Sequence, residues 1–127
     1  MKNTILMLLL AAMSTGAMAE WFKVQEGETL TSYANIETIR KKGDRVQMWT
    51  MTNLNKVTPN RDIGKSFKTL EEYDCKEEKS RRLQLIFYPE SMGGGLAVSN
   101  NSEHGKWEAI IPDTVGEFMW KIACGKK

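Results

Sequence analysis

Histidine occurs once in this chain, at position 104, and cysteine only twice, at 75 and 124. That scarcity removes most catalytic and metal chemistry. No HExxH, no CxxC and no paired histidine offers the ligand spacing that a zinc site needs. His104 has no serine or cysteine partner at a recognisable spacing, so no nucleophile–base pair is legible. The acids come as neighbours, Glu71-Glu72 and Glu77-Glu78. Adjacent residues of a strand face opposite ways and do not converge as an acid and a base. An excess of charge is also lacking, with 18 Lys and Arg against 16 Asp and Glu. Nothing in that balance calls for a nucleic acid or a membrane surface. Beyond the first residues no apolar run is long enough to cross a bilayer. The reading is a protein that is not an enzyme, with no catalytic residue, no metal and no cofactor.

The first residues carry a different signal. Lys2 is followed by the apolar run Thr4 to Met13 and then by Ala17-Met18-Ala19. A short positive start, an apolar segment too short to span and a small-residue cleavage site make a secretory leader. Residues 1–19 are expected to be removed, leaving residues 20–127 as one exported domain. The leader takes Lys2 with it, so the net charge falls from +2 to +1. It also takes Met1, Met7, Met13 and Met18, half of the 8 methionines. The domain itself is therefore not methionine-rich.

Export decides how the cysteines are read. Two cysteines in an oxidising compartment pair, and only Cys75–Cys124 is available. The bond would close a loop of about 50 residues, an effect of roughly 4 kcal/mol on the unfolded chain. A thiol held in a disulfide also stops Asp74-Cys75 from acting as a nucleophile pair.

Strand patterns dominate the rest. Trp21 to Val24, Thr29 to Ala34 and Arg45 to Asn53 read as strands, and Asn35 to Lys42 is ambiguous. In Arg45 to Asn53, Val46 and Met48 point one way while Trp49 and Met51 point the other. Large apolar groups on both faces call for cover on both. Arg40 to Arg45 is a charged turn around Gly43-Asp44, and Leu54 to Lys65 is a loop. Ser66 to Cys75 and Ser80 to Tyr88 alternate on either side of a short charged link and make a hairpin. Gly93-Gly94-Gly95 lacks the Lys-Ser/Thr and helix of a phosphate loop and reads as a bend. Leu96 to Ser99 and Lys106 to Ile111 read as short strands around a polar loop.

After Pro112 the period changes. Thr114 and Glu117 have capping-box spacing, and Gly125 sits where helices end. Val115, Phe118, Met119 and Ile122 make one stripe. Trp120 and Cys124 lie well round from it. Either the last turn is distorted or the helix is buried across much of its girth. The expected architecture is α+β: an antiparallel sheet of about six strands, with one C-terminal helix on one face, tethered by Cys75–Cys124.

The sequence resembles the surface-adhesin protein E-like family of Gram-negative bacteria along almost all of residues 20–127. The likeness runs through Trp21, Ile39-Arg40, Val46-Gln47-Met48-Trp49 and Glu72-Tyr73-Asp74-Cys75. It continues through Arg82, Phe87-Tyr88, Met92-Gly93-Gly94-Gly95, Trp107-Glu108, Pro112 and the closing Met119 to Cys124. The resemblance implies a sheet with a disulfide-tethered helix, and it leaves open a homodimer. It implies adhesion to host matrix and plasma proteins such as vitronectin, laminin and plasminogen. A lipid-anchored adhesin needs a cysteine at the cleavage site, and Ala19-Glu20 supplies none. The expected location is therefore the periplasm or the medium, without lipid anchor or membrane span.

Three kinds of function follow. The first is an exported binding domain that recognises a host or envelope protein, with Lys79, Arg81 and Arg82 near the hairpin turn as candidate contacts. The second is a periplasmic small-ligand carrier, with Trp49, Trp107, Trp120 and Tyr88 lining a pocket between sheet and helix. The third is a structural envelope protein.

Overall fold

Strand β1 (Phe22–Glu26) opens an antiparallel meander that continues through β2 (Leu30–Lys42), β3 (Arg45–Leu54), β4 (Ser66–Asp74) and β5 (Lys79–Tyr88). The structure, a computed structural model, describes residues 20–56 and 64–127. The expected leader and most of the expected loop from Leu54 to Lys65 lie outside those residues. Two short strands, β6 (Ser99–Asn101) and β7 (Glu108–Ala109), share the free edge of β5. Helix α1 (Val115–Cys124) closes the chain.

The long middle strands form where alternation was clearest. β3 lies against β4 without a break, from Arg45 opposite Asp74 to Asn53 opposite Ser66. The ambiguous half of β2 proves to be strand with a bulge. Asn35 faces Trp49 and Arg40 faces Gln47, so β2 spends three more residues than β3 over that interval. The Thr38 hydroxyl mends the gap, donating to the Asn35 carbonyl at 2.6 Å and accepting the Trp49 N–H at 2.9 Å.

One face of the sheet carries the main core. Ala34 of β2, Val46 and Met48 of β3 and Tyr73 of β4 pack against Met119, Trp120 and Ala123 of α1. Thr114 caps the helix by accepting the Glu117 N–H. The Glu117 carboxylate reaches back to the Asp113 N–H at 3.2 Å, one residue before the cap. Gly125 ends the helix at φ 68°, with its own N–H on Ile122 and the Lys126 N–H on Lys121.

The helix is regular, so burial across much of its girth is the correct alternative. Its buried side is turned from the expected stripe. Phe118 is 49% exposed, while Trp120 and Ala123 are buried. Two connections to one end of β4 fix that rotation. The Trp120 indole N–H donates to the Asp74 carbonyl at 3.0 Å. Cys124, the last helical residue, is bonded to Cys75 with the Cα atoms 5.7 Å apart.

The other face is partly covered by the chain itself. A 3-10 turn at Ser91–Gly93 folds back over β3 and β4. The Ser66 hydroxyl donates to the Glu90 carbonyl and accepts the Gly93 N–H, and Asn53 accepts the Met92 N–H. Met51, on this face, is 1% exposed. The glycine run is thus a bend, as its residues suggest.

Two edge strands differ from expectation. Leu96 to Ser99 does not pair as a unit. Pairing begins at Ser99, and Leu96 is 90% exposed. Lys106 to Ile111 contributes only Glu108 and Ala109. The cause is the limited edge of β5, where Leu85 to Phe87 take β6 and Lys79 and Ser80 take β7.

Candidate functional site

The meander brings the β2–β3 turn and the β4–β5 turn to one end of the sheet. Arg45 faces Lys42 on one side and Asp74 on the other, and Asp74 faces Lys79. Arg40, Lys41, Lys42, Arg45, Gln47 and Glu72 line a concavity of about 610 Å³ there. Beside it Trp107 is met by two guanidinium groups, Arg45 at 5.1 Å and Arg81 at 4.7 Å from the ring centre. Arg81 also donates to Glu72 at 2.8 Å, with both side chains mostly buried. A bidentate or stacked guanidinium holds one pose, unlike a free lysine.

The three expected contact residues therefore part company. Arg81 is built into the face away from the helix, committed to Glu72 and Trp107. Arg82 lies on the opposite face, across from Glu71, and is exposed. Lys79 stands exposed at the start of β5. Sequence reading had assigned Arg40 to Lys42 to a solvated turn, and they are exposed. It missed their nearness to Arg81 and Trp107, which comes from strand order and not from local spacing. Among the described residues only Arg81 of this group has a carboxylate within salt-bridge distance.

Electrostatics separate the acids at this end. Asp74 is held below the usual carboxylate range, first by the Glu77 N–H, against a cost of burial that ranks next, and then by the Lys76 N–H and the charges of Arg45 and Lys79. Both N–H groups donate to its Oδ1, at 2.8 and 3.0 Å. Glu71, on the helix face, is pushed up from 4.5 to about 7 by burial, with Glu108 adding to the rise and Arg82 opposing it. Burial, together with Glu71, also raises Tyr73 well above 10.

The expected tryptophan pocket between sheet and helix is not there. Trp120 is core and Trp107 belongs to the basic end. The hollow beside α1, about 250 Å³, is lined by Thr50, Thr69, Phe67, Glu71 and Met119 among others, and by no tryptophan. Trp49 and Tyr88 meet on the other face, with Trp21 and Lys68, around a hollow of about 290 Å³. Strand parity explains the separation: Trp49 alternates with Met48, whose face the helix covers. Among the described residues no cluster of His, Cys, Asp and Glu has metal-site geometry. Nor is any described helix long and apolar enough to cross a membrane.

Solved structures share this fold. Two crystal structures of Haemophilus influenzae protein E superpose with TM-scores of 0.67 and 0.66, each at 19% identity over 86% of this chain and over 90% and 86% of theirs. A third, of protein E from non-typeable Haemophilus influenzae, has a TM-score of 0.62 at 19% identity, covering 86% of this chain and 79% of that one. No curated protein matches the sequence. The family described as surface-adhesin protein E matches residues 21–125, nearly the whole of the described domain. The chain belongs to the surface-adhesin protein E family.

Proposed function

We propose that the chain is an exported, non-enzymatic binding domain of adhesin type, which recognises an acidic stretch of a protein partner through the basic end of its sheet. The observation that carries this reading is the convergence of Arg40, Lys41, Lys42 and Arg45 on one concavity, with Arg81 beside it through Glu72 and Trp107 and Lys79 at the same end of the sheet opposite Asp74. Cations that lack an internal carboxylate keep their charge available for a partner and speed the encounter. Trp107, flanked by Arg45 and Arg81, adds a rigid aromatic surface of the kind enriched at binding hot spots. Family membership supports the adhesin type. The partner class is a host matrix or plasma protein, met after export to the cell surface or medium.

Location and binding test this together. Protease treatment of intact cells is expected to remove the protein, or the medium to contain it. Purified protein is expected to bind immobilised vitronectin, laminin or plasminogen in a salt-sensitive manner. Reversing Lys41, Lys42 and Lys79 to glutamate should weaken that binding at least tenfold without lowering the melting temperature, whereas Arg82→Ala on the opposite face should leave it unchanged. A protein fully protected inside the periplasm, or binding indifferent to the reversal, sinks the proposal.

A further inference from the structure

The second hollow lies on the face away from the helix and has the makings of a ligand site. Trp21, Trp49 and Tyr88 supply aromatic surface, and Lys68 supplies the one charge among the residues lining it. Lys68 is steered into place. Its stem passes so close to Gly93 that a Cβ there would sit 2.6 Å from Cε. Its ammonium lies 4.9 Å from the centre of the Tyr88 ring and 5.7 Å from that of Trp21. Among the described residues it has no carboxylate within salt-bridge distance. An ammonium over aromatic faces still has N–H donors to give.

Asn35 provides the second, independent sign. It lines the same hollow at the point where β2 bulges away from β3. The residue is 7% exposed, and its Oδ1 is buried with no hydrogen-bond partner. Buried polar atoms in native proteins nearly always have a partner. Thr38, the nearest hydroxyl in the bulge, already donates to the Asn35 carbonyl and accepts from Trp49. A half-turn of the carboxamide about its soft terminal torsion exchanges Oδ1 with the amide nitrogen. A ligand hydroxyl both donates and accepts, so it can pair with whichever carboxamide atom that torsion presents to the hollow.

We infer that this hollow binds a carboxylated pyranose, one sugar ring at a time. The apolar face of the ring would lie on the indoles, the carboxylate on Lys68 and a ring hydroxyl on Asn35. At about 290 Å³ the hollow is at the small end of ligand sites, room for a single ring. A flat aromatic acid would suit the walls and the lysine but would leave Asn35 unpaired. Glu37 lines the neighbouring hollow that shares Trp21, so the acid group is directed to the Lys68 side. The same chemistry occurs in the uronic acids of host glycosaminoglycans and in the keto-acid sugars of bacterial lipopolysaccharide cores. The inference is independent of the basic end and stands or falls without it.

Tryptophan fluorescence and saturation-transfer NMR on the exported protein test it, with methyl glucuronide against methyl glucoside as probes. The glucuronide is expected to bind at least tenfold more tightly. Lys68→Met should abolish that preference while leaving the weak neutral binding unchanged, and Trp21→Ala should weaken both. Chondroitin hexasaccharide and deacylated lipopolysaccharide core, run as separate arms, then identify the source by which binds more tightly than the monosaccharide. Absence of binding to either methyl glycoside overturns the inference, as does a preference that survives Lys68→Met. A dimer in sedimentation, with Trp21 and Trp49 signals that shift on dilution, overturns it in favour of a second copy on this face.

Discussion

Reducing the Cys75–Cys124 bond should loosen α1 before it loosens the sheet. The bond spans 49 positions and encloses β5, β6, β7 and the helix. On the chain-entropy account, opening a loop of that size returns about 4 kcal/mol to the unfolded state. Domains of this size have net stabilities of about 5–15 kcal/mol, so the loss is a large share. At about 4–8 °C per kcal/mol, the melting temperature should fall by roughly 16–32 °C. What then holds the helix is the packing of Met119, Trp120 and Ala123 and one indole hydrogen bond to Asp74. A ten-residue helix has little stability of its own. The strands keep their ladders, β3 being paired on both sides along most of its length.

The assay is hydrogen exchange on oxidised protein and on a Cys75→Ser/Cys124→Ser variant, with thermal melts beside it. Amides from Met119 to Cys124 should exchange through a partial opening, while those of Val46 to Thr52 remain tied to global unfolding. If helix and strands lose protection equally, the tether is not what distinguishes the helix. A drop of only a few degrees would show that the denatured chain gains little freedom and would refute the loop argument.

Two further outcomes rest on single residues. Glu71 is raised from 4.5 to about 7 by burial, so the folded state prefers it neutral. Its cost is absent below about pH 4.5, grows as pH rises toward 7 and is complete above, reaching at most about 3 kcal/mol. Glu71→Gln should therefore stabilise the protein by about 1–2 kcal/mol at pH 8 and by almost nothing at pH 4. Urea melts at both pH values measure this, and an equal effect at the two would contradict it. Gly125 is at φ 68°, and a Cβ there meets nothing within 4 Å. Gly125→Ala should cost about 1 kcal/mol from backbone strain alone, and Gly125→Asn less, as chemical denaturation would read.

Elements governed by their own residues were legible in the sequence. Thr114, Glu117 and Gly125 define the helix ends by local hydrogen bonding, and those ends are where the spacing places them. β4 and β5 follow from alternation, and β3 from strand-forming residues with large apolar groups on both faces, one against the core and one partly covered. The second half of β2 was not legible, since Thr38 replaces a ladder contact with its hydroxyl and breaks the apolar period. The edge strands were displaced because a neighbour's free edge chose them, not their own composition. The helix rotation depends on two contacts to the end of β4, which no periodicity within α1 reports. Site residues followed the same division. The cations of Arg40 to Lys42 were visible as charge, but their approach to Arg81 and Trp107 required the strand order.

The stapled end of the sheet is also the basic end, and the two properties support each other. The Cys75 N–H donates to the Asp44 carbonyl at 2.8 Å, which joins the β4–β5 turn to the β2–β3 turn. The Asp74 carboxylate holds the β4–β5 turn through Lys76 and Glu77, while its carbonyl takes the Trp120 indole. The disulfide fixes Cys75 to the end of α1. Two turns and a helix end are thereby locked into one rigid frame. Lys41, Lys42 and Lys79 are exposed, and under the proposed binding role their backbone anchors would not have to be ordered when a partner arrives. Binding loses less entropy when only side chains must settle. Arg45 and Arg81 are further restrained by Trp107, so part of the cationic surface is held in one arrangement. A staple placed three residues from the last position thus does more than stop the helix from fraying, because it stiffens the surface on which the charge is carried.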